Sequence, residues 1–363
     1  MAVELDFFST YALQAIIDET VPRATFFRDR YFGSGAGDII NADKVLVEYR
    51  KNGRTMAPFV ADRIGDIPLD RRGYTVHEYE PARIAMSRLL TIDELRKRGF
   101  GEAIYANSTE AERAARLIQD DLSDIEDAIV RREEWMAAQT MINNACTMQE
   151  YIDAATKGGK KDISFFDKEK GSEHTYTPGK KWTDKDGNYR ADIRNMARML
   201  TSRSLPATDL IVGTNVADFI ESDPETRELL KRDSGIIVGT INETLGDYDG
   251  ITFMGTLNFH GHRLNVIVVD ERFEDEDGKD KPMFGANDVM VTAPNCGAFK
   301  YGRVTQFDYG ATMPSTYAAK RVPKLIVDTE NDIRKIRLTT RPIAVPKNYC
   351  PYIYAKDVVG ATP

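Results

Sequence analysis

Residues 107–145 read NSTEAERAARLIQDDLSDIEDAIVRREEWMAAQTMINNA. The stretch holds neither glycine nor proline and is rich in strong helix formers. Its apolar residues Ile118, Leu122, Ile125, Ile129 and Met136 recur at three-, four- and seven-residue steps, which draws one stripe down a helix. Glu110, Glu112, Arg113, Arg116, Asp120, Asp121, Asp124, Glu126 and Asp127 fall on the other faces. Asn107 and Thr109 each have a glutamate three residues later, the spacing of a capping box, so the helix is expected to start there.

A helix over that span is roughly 55 Å long at 1.5 Å per residue. A compact globule of this chain length has a diameter of about 50 Å. One helix therefore crosses the whole molecule, either as the spine of an elongated subunit or as part of a coiled coil. The stripe keeps no strict a/d heptad and Arg132 interrupts it, which favours the spine.

Working outward, 363 residues allow one large domain or two ordinary ones. A composition of 42% hydrophobic and 29% charged residues is that of an ordinary folded protein. The net charge of -8 and pI near 5.3 argue against a protein that grips nucleic acid by neutralising phosphates. Cys146, Cys296 and Cys350 are far apart and form no CxxC pair, as expected of a reducing compartment. The start, MAVELDFFSTY, has no basic segment leading an apolar one, so no signal peptide is expected, and no apolar run is long enough for a bilayer. The protein is expected to be soluble and intracellular when made.

Before the helix, residues 1–42 carry the aromatic pairs Phe7–Phe8, Phe26–Phe27 and Tyr31–Phe32. Such aromatics on a terminal arm need a surface to bury against, and the expected surface is another subunit. Gly33-Ser34-Gly35-Ala36-Gly37 reads as a flexible bend rather than a phosphate loop, because no buried strand precedes it. In residues 43–90, Lys44–Lys51 reads as a strand, Asn52-Gly53 as a hairpin turn and Arg54–Val60 as an edge strand interrupted by Pro58. A second turn cluster runs from Asp66 to Gly73, and Tyr74–Leu90 is extended again. A charged β-arm of this kind is marginal by itself. It either folds back on the helix or reaches to a neighbouring molecule.

An aromatic amino arm, a charged extended loop opening at Lys44-Val45, a spine helix ending in Arg131-Arg132-Glu133-Glu134-Trp135-Met136, and the later run Phe284-Gly285-Ala286-Asn287-Asp288-Val289-Met290-Val291 occur here in one order. That order resembles the lambda-like family of tailed-phage major capsid proteins. The resemblance implies an α+β chain with the Hong Kong 97-type capsid fold. Its parts would be an amino-terminal arm over 1–42, an extended β-loop over 43–95, a peripheral domain with the spine helix over 96–190, an axial domain over 191–316, and return strands to the peripheral domain over 317–363. It further implies a structural protein, not an enzyme, that assembles as pentamers and hexamers into an icosahedral head shell. Scaffold, portal and decoration proteins would be partners, packaged DNA would be touched only non-specifically, and no membrane is involved. The subunit would reside in the virion, and in the host cytoplasm during assembly. Arg50, Lys51, Asn52, Gly53, Arg54, Arg71, Arg72 and Trp135 are the expected inter-subunit contacts.

After the helix, Thr156–Trp182 reads as a loop leading into short antiparallel strands beside the spine. A second globular unit is expected from about Ala191, with a helix at Ile193–Leu200, a buried strand at Leu210-Ile211-Val212 and a helix over Glu225–Arg232 capped by Asp223-Pro224. Ile236-Ile237-Val238 and Leu264–Val269 have the continuous β-branched character of strands covered on both faces. Ile333–Thr340 alternates as a strand that returns to the first unit.

No catalytic, cofactor or metal site emerges. There is no GxSxG, GxxxxGK[ST] or HExxH. Thr183–Asn188 and Glu271–Lys281 hold acids without a complete calcium-ligand series, and His260-Gly261-His262 has no third ligand at a useful spacing. Two other readings stand beside the phage shell: a bacterial nanocompartment shell of the same fold, and an intracellular enzyme with an unrecognised site.

Overall fold

A computed structural model of the protein describes residues 13–14, 17, 23–49, 75–91, 110–152, 156–166, 173–224, 248–259, 261–308, 312–328 and 333–360. The spine helix runs Glu110–Asn143, 34 residues and about 51 Å at the standard rise. Ile118, Leu122, Ile125, Ile129 and Met136 are all 3% exposed or less. The first four form one core with Leu325, Ile336 and Leu338, and Met136 joins a larger one. The helix stops two residues before the expected Ala145. Asn144 takes a left-handed φ of 51°, which asparagine tolerates, and Ala145 already opens the strand Ala145–Tyr151. The expected capping residues Asn107 and Thr109 lie outside the described residues.

The helix is covered on one side by a three-stranded antiparallel sheet, Val322–Asp328, Ile333–Thr340 and Ile84–Thr91. Alternation along these strands turns Leu325, Ile336 and Leu338 toward the helix. Beside the helix end, Ala145–Tyr151 pairs with Lys157–Ser164. These hairpin strands begin directly after the helix, so the expected loop from Thr156 starts too late. Its glycines and lysines sit in a strand whose outward positions face water.

The other large sheet has five strands in the order Ile353–Ala355, Val289–Thr292, Asp209–Gly213, His262–Val269 and Ile251–Phe259. Asp209–Gly213 runs parallel to His262–Val269 and every other pairing is antiparallel. Strand Asp209–Gly213 is buried along its whole length, as its apolar run requires. Helix Tyr189–Ser202 is started by Asn188, whose side chain accepts the Ala191 N–H, and buries Ile193, Met196, Ala197 and Leu200 on the sheet. A shorter helix, Thr214–Ser222, packs against the same core. The helix expected over Glu225–Arg232 and the strand at Ile236–Val238 lie outside the described residues. Within the segment 317–363, the spine meets Ile333–Thr340 and Pro342–Pro346, whereas Ile353–Ala355 lies at the edge of the five-stranded sheet.

The run Phe284–Val291 ties the amino arm to the five-stranded sheet. The Phe284 ring stacks on Phe27 at 6.4 Å, and Val289–Val291 enters the five-stranded sheet. Buried Asp288 accepts the Tyr354 hydroxyl at 2.5 Å and the Asp357 N–H at 2.8 Å. A Cβ on Gly213 would run into the Gly285 and Ala286 carbonyls, and one on Gly285 into the Asp288 carboxylate. Only glycine allows that approach.

One expectation is overturned at the amino arm. Phe26, Phe27, Tyr31 and Phe32 are 1% exposed or less and sit in the largest core of their own chain. The chain makes a π-helical turn at Phe27–Tyr31. Phe26 meets Phe27 and Tyr31 edge-on, and Phe32 meets Phe299. No second subunit is needed to cover these four, and the pair Phe7–Phe8 lies outside the described residues. The glycine string that follows is a bend with a short 3-10 turn, Ala36–Asp38, whose Asp38 carboxylate accepts the Gly35 N–H.

Candidate assembly surface

The expected contact residues Arg50, Lys51, Asn52, Gly53, Arg54, Arg71 and Arg72 lie outside the described residues, as does the expected return strand Arg54–Val60. What the structure defines is the base from which that segment leaves the body. Val45–Tyr49 pairs with Thr75–Tyr79, in the register Val45↔Tyr79 and Tyr49↔Thr75. Alternation sorts the ribbon into two faces. Val45, Val47 and Tyr79 face inward, where the Tyr79 ring packs edge-on against Phe165 at 5.2 Å and its hydroxyl donates to the Ser164 carbonyl. Leu46 is 57% exposed and Val76 46%, both on the outer face.

Ion pairs hold both feet of this ribbon. Asp43, just before the first strand, accepts from Arg303 at 2.8 Å and from Arg341 at 3.2 Å. Arg341 also reaches Glu80, just after the second strand, at 3.5 Å, and Lys161 reaches Glu80 at 3.3 Å. The Arg303 hydrogen bond holds the Asp43 carboxyl below its usual range. One arginine thus bridges the outgoing and returning chain at the base of the ribbon.

The end of the spine is a second anchor. Glu133 is fully buried and takes Arg321 in a two-pronged pair at 2.8 and 3.0 Å, with the Arg28 Nε at 3.1 Å. Glu126, expected on the charged outer face, is instead 7% exposed and accepts from the same guanidinium at 2.7 Å. Its partner comes from a strand far along the chain, so helical periodicity alone places it wrongly. Glu134 is also fully buried. Its two oxygens accept the Phe27 N–H at 2.6 Å and the Arg28 N–H at 2.7 Å, which caps the aromatic turn of the arm. Burial, reinforced by Glu271, pushes this carboxyl up to about 8 against the pull of those two N–H groups. Arg132 pairs with Glu276 of the acidic hairpin and lies 5.1 Å over the Trp135 ring. Trp135 is half-buried and lines a cleft of ≈ 600 Å³. Arg-Arg-Glu-Glu-Trp-Met is therefore a junction that fastens the arm, the three-stranded sheet and the acidic hairpin to one helix turn.

Neither acidic turn gathers metal ligands. Asp275 spends its oxygens on Lys281 at 2.6 Å and on the N–H groups of Asp277 and Lys279, and these hold its carboxyl down at about 2. Asp184 accepts the Lys181 N–H, and Asp186 pairs with Lys180. Among the described residues, no three His, Cys, Asp or Glu side chains converge as metal ligands. No helix among them is long and apolar enough to cross a membrane.

Comparison with known proteins adds a family to this geometry. The family "phage major capsid protein E" matches residues 9–356. Among solved structures, one assigned as a prophage capsid protein of Escherichia coli CFT073 is 18% identical, with 96% of this chain and 98% of that one covered and a TM-score of 0.66. A phage-related protein of Bordetella bronchiseptica RB50 is 9% identical, covers 98% and 99% of the two chains and has a TM-score of 0.52. An encapsulin complex of Synechococcus elongatus PCC 7942 is 10% identical, covers 93% and 87%, and at a TM-score of 0.42 carries no argument. None of the curated proteins matches the chain.

Proposed function

The chain belongs to the phage major capsid protein E family, with the Hong Kong 97-type fold, and on that premise we propose how this shell subunit assembles. The segment 43–95 reaches over a neighbouring copy and is the contact that sets the spacing of subunits. Arg50, Lys51, Arg54, Arg71 and Arg72 on that segment meet the acidic outer face of the neighbour's spine, where Asp120, Asp124 and Asp127 stay outside the core while Glu126, Glu133 and Glu134 are buried in their own subunit. Asn52 and Gly53 turn the chain between those charges, and the half-buried Trp135 borders the contact. The peripheral unit (96–190 with 317–363, apart from the edge strand Ile353–Ala355) forms the wall and the axial unit (191–316, completed by that strand) gathers into pentameric and hexameric rings. The work of the subunit is binding to copies of itself, with no catalytic step, and packaged DNA is touched only non-specifically.

The observation that carries this reading is the two-footed clamp of Asp43, Glu80 and Arg341. An arm used only to cover its own subunit needs no clamped base, whereas one that must find the same place on every neighbour does. Exposed charges contribute little inside one subunit. Repeated around a shell, modest pair energies add up and fix register. Reversing Arg71 and Arg72 to glutamate is expected to leave circular dichroism unchanged while sedimentation shows free subunits in place of shells. Wild-type shells from that variant would remove the pair from the contact, and loss of the folded spectrum would place the arm in the subunit's own core.

A further inference from the structure

The face of the three-stranded sheet opposite to Leu325, Ile336 and Leu338 carries cations that make no ion pair among the described residues of their own chain. Arg337 stands directly across from Lys324 in the register of Val322–Asp328 with Ile333–Thr340. Like charges placed directly opposite on one face of a sheet work against the pairing. Arg83, just before strand Ile84–Thr91, adds a third positive group, and Lys335 lies two residues before Arg337 on the same face. Among the described residues none of these four forms an ion pair. The carboxylate that acts on Lys324, Asp308, makes no ion pair with it and is held by the Tyr317 hydroxyl at 2.6 Å. Burial and Arg83 together press the Arg337 guanidinium below its ordinary range, and burial and Arg337 do the same to Lys324.

The arrangement also leaves hydrogen bonds open. The Arg337 Nε is buried with no acceptor, and the Thr339 hydroxyl, two residues on, is buried with no partner. A guanidinium N–H held out of water without an acceptor is rare in folded proteins and costs stability. Arg83 and Arg337 line the ≈ 600 Å³ cleft together with Trp135 and Tyr151, and the cleft's own carboxylates, Glu150 and Glu276, pair with Lys161 and Arg132.

We propose that Arg83, Lys324 and Arg337 form a recessed carboxylate-binding site filled by an acidic side chain of a second copy of this chain. The proposal rests on the shell reading above and adds a contact distinct from the 43–95 segment. A second copy is favoured over nucleic acid on charge and shape. The chain carries a net charge of -8, so its own acidic surface is in large excess. The cations are few, with Lys324 and Arg337 half-sunk in a sheet face and Arg83 exposed at its rim, whereas a phosphate backbone is met by many cations spread along a surface.

Paired variants test this, Lys324→Met with Arg337→Met, which keep the stems and remove the charges. The unassembled variant is expected to melt at or above the wild-type temperature, since a like-charge pair is gone. Its assembly is expected to need about tenfold more subunit, the effect of losing a close charge pair across an interface. Wild-type shells treated with a carbodiimide should join Lys324 to an Asp or Glu of another copy. Mixing ¹⁴N- and ¹⁵N-grown subunits before assembly shows by mass spectrometry that the link is between copies. Shells formed by the variant at wild-type concentration would overturn the proposal while leaving the shell function intact. A lowered melting temperature of the free variant would overturn it too, by giving the cations a role inside the subunit. Unchanged assembly with lost retention of DNA would overturn it in favour of nucleic acid. Failure of the wild-type chain itself to assemble would instead strike the shell reading.

Discussion

At the scale of single residues, the end of the spine is held by charges that are buried and matched. Removing one member of such a set costs more than the set contributes, because the remaining charge is stranded. Arg321→Met is therefore expected to lower stability by about 3–5 kcal/mol, since Glu126 and Glu133 lose their shared cation. Denaturant melts would check this, and a loss below about 1 kcal/mol would show that water reaches the pair. Glu134 predicts a pH dependence. Its folded carboxyl keeps a proton up to about pH 8, while the unfolded one releases it near 4.5. The stabilisation is thus fully present below pH 4.5 and is lost as the pH rises through 8. Glu271, also raised by burial, adds a slope of the same sign. Glu134→Gln should flatten the fall in melting temperature across that window without abolishing it. An unchanged slope would assign the titration to another group. None of these partners was legible in the sequence. A period of 3.6 tells which face is apolar, but it cannot tell that an arginine nearly two hundred residues away comes back to meet Glu126.

At the scale of elements, the long helix was legible because apolar residues recur at helical spacing through a run free of glycine and proline. Ile125→Ala and Ile129→Ala each remove buried methyl groups from the contact with Leu325, Ile336 and Leu338 and should cost about 2–5 kcal/mol. If both variants unfold at the wild-type midpoint, the stripe is not a core face. The five-stranded sheet and the turn at Phe284–Asp288 meet through Gly213 and Gly285. Gly213→Ala should therefore cost about 1–3 kcal/mol through a forced shift of backbone carbonyls, read in the same denaturant melts. A neutral result would mean that the turn gives way easily. The hairpin after the helix was misplaced because asparagine at a left-handed position ends a helix without glycine or proline to announce it. The aromatic arm was misjudged for a related reason. Phe26, Phe27, Tyr31 and Phe32 are local in sequence, but their cover comes from Glu134, Phe284 and Phe299.

At the scale of the whole molecule, the order of parts was legible where residue detail was not. Among the described residues the ribbon base, the spine and the second unit follow one another in the order expected from the sequence, and the family match spans 9–356. The described body accounts for a subunit that is stable by itself: three cores, a clamped ribbon base and a junction at the spine end. The same body leaves Leu46, Val76, Leu89 and Ile152 exposed, and on the proposed shell reading these, with the unmatched cations of the sheet face, are surfaces that meet other copies. Electron microscopy of the purified chain as its concentration is raised tests this most directly. The expected images are closed shells of uniform size, built of fivefold and sixfold rings, dissolving at a salt concentration that leaves the single subunit folded. A chain that stays monomeric and folded at every concentration and ionic strength would contradict the account.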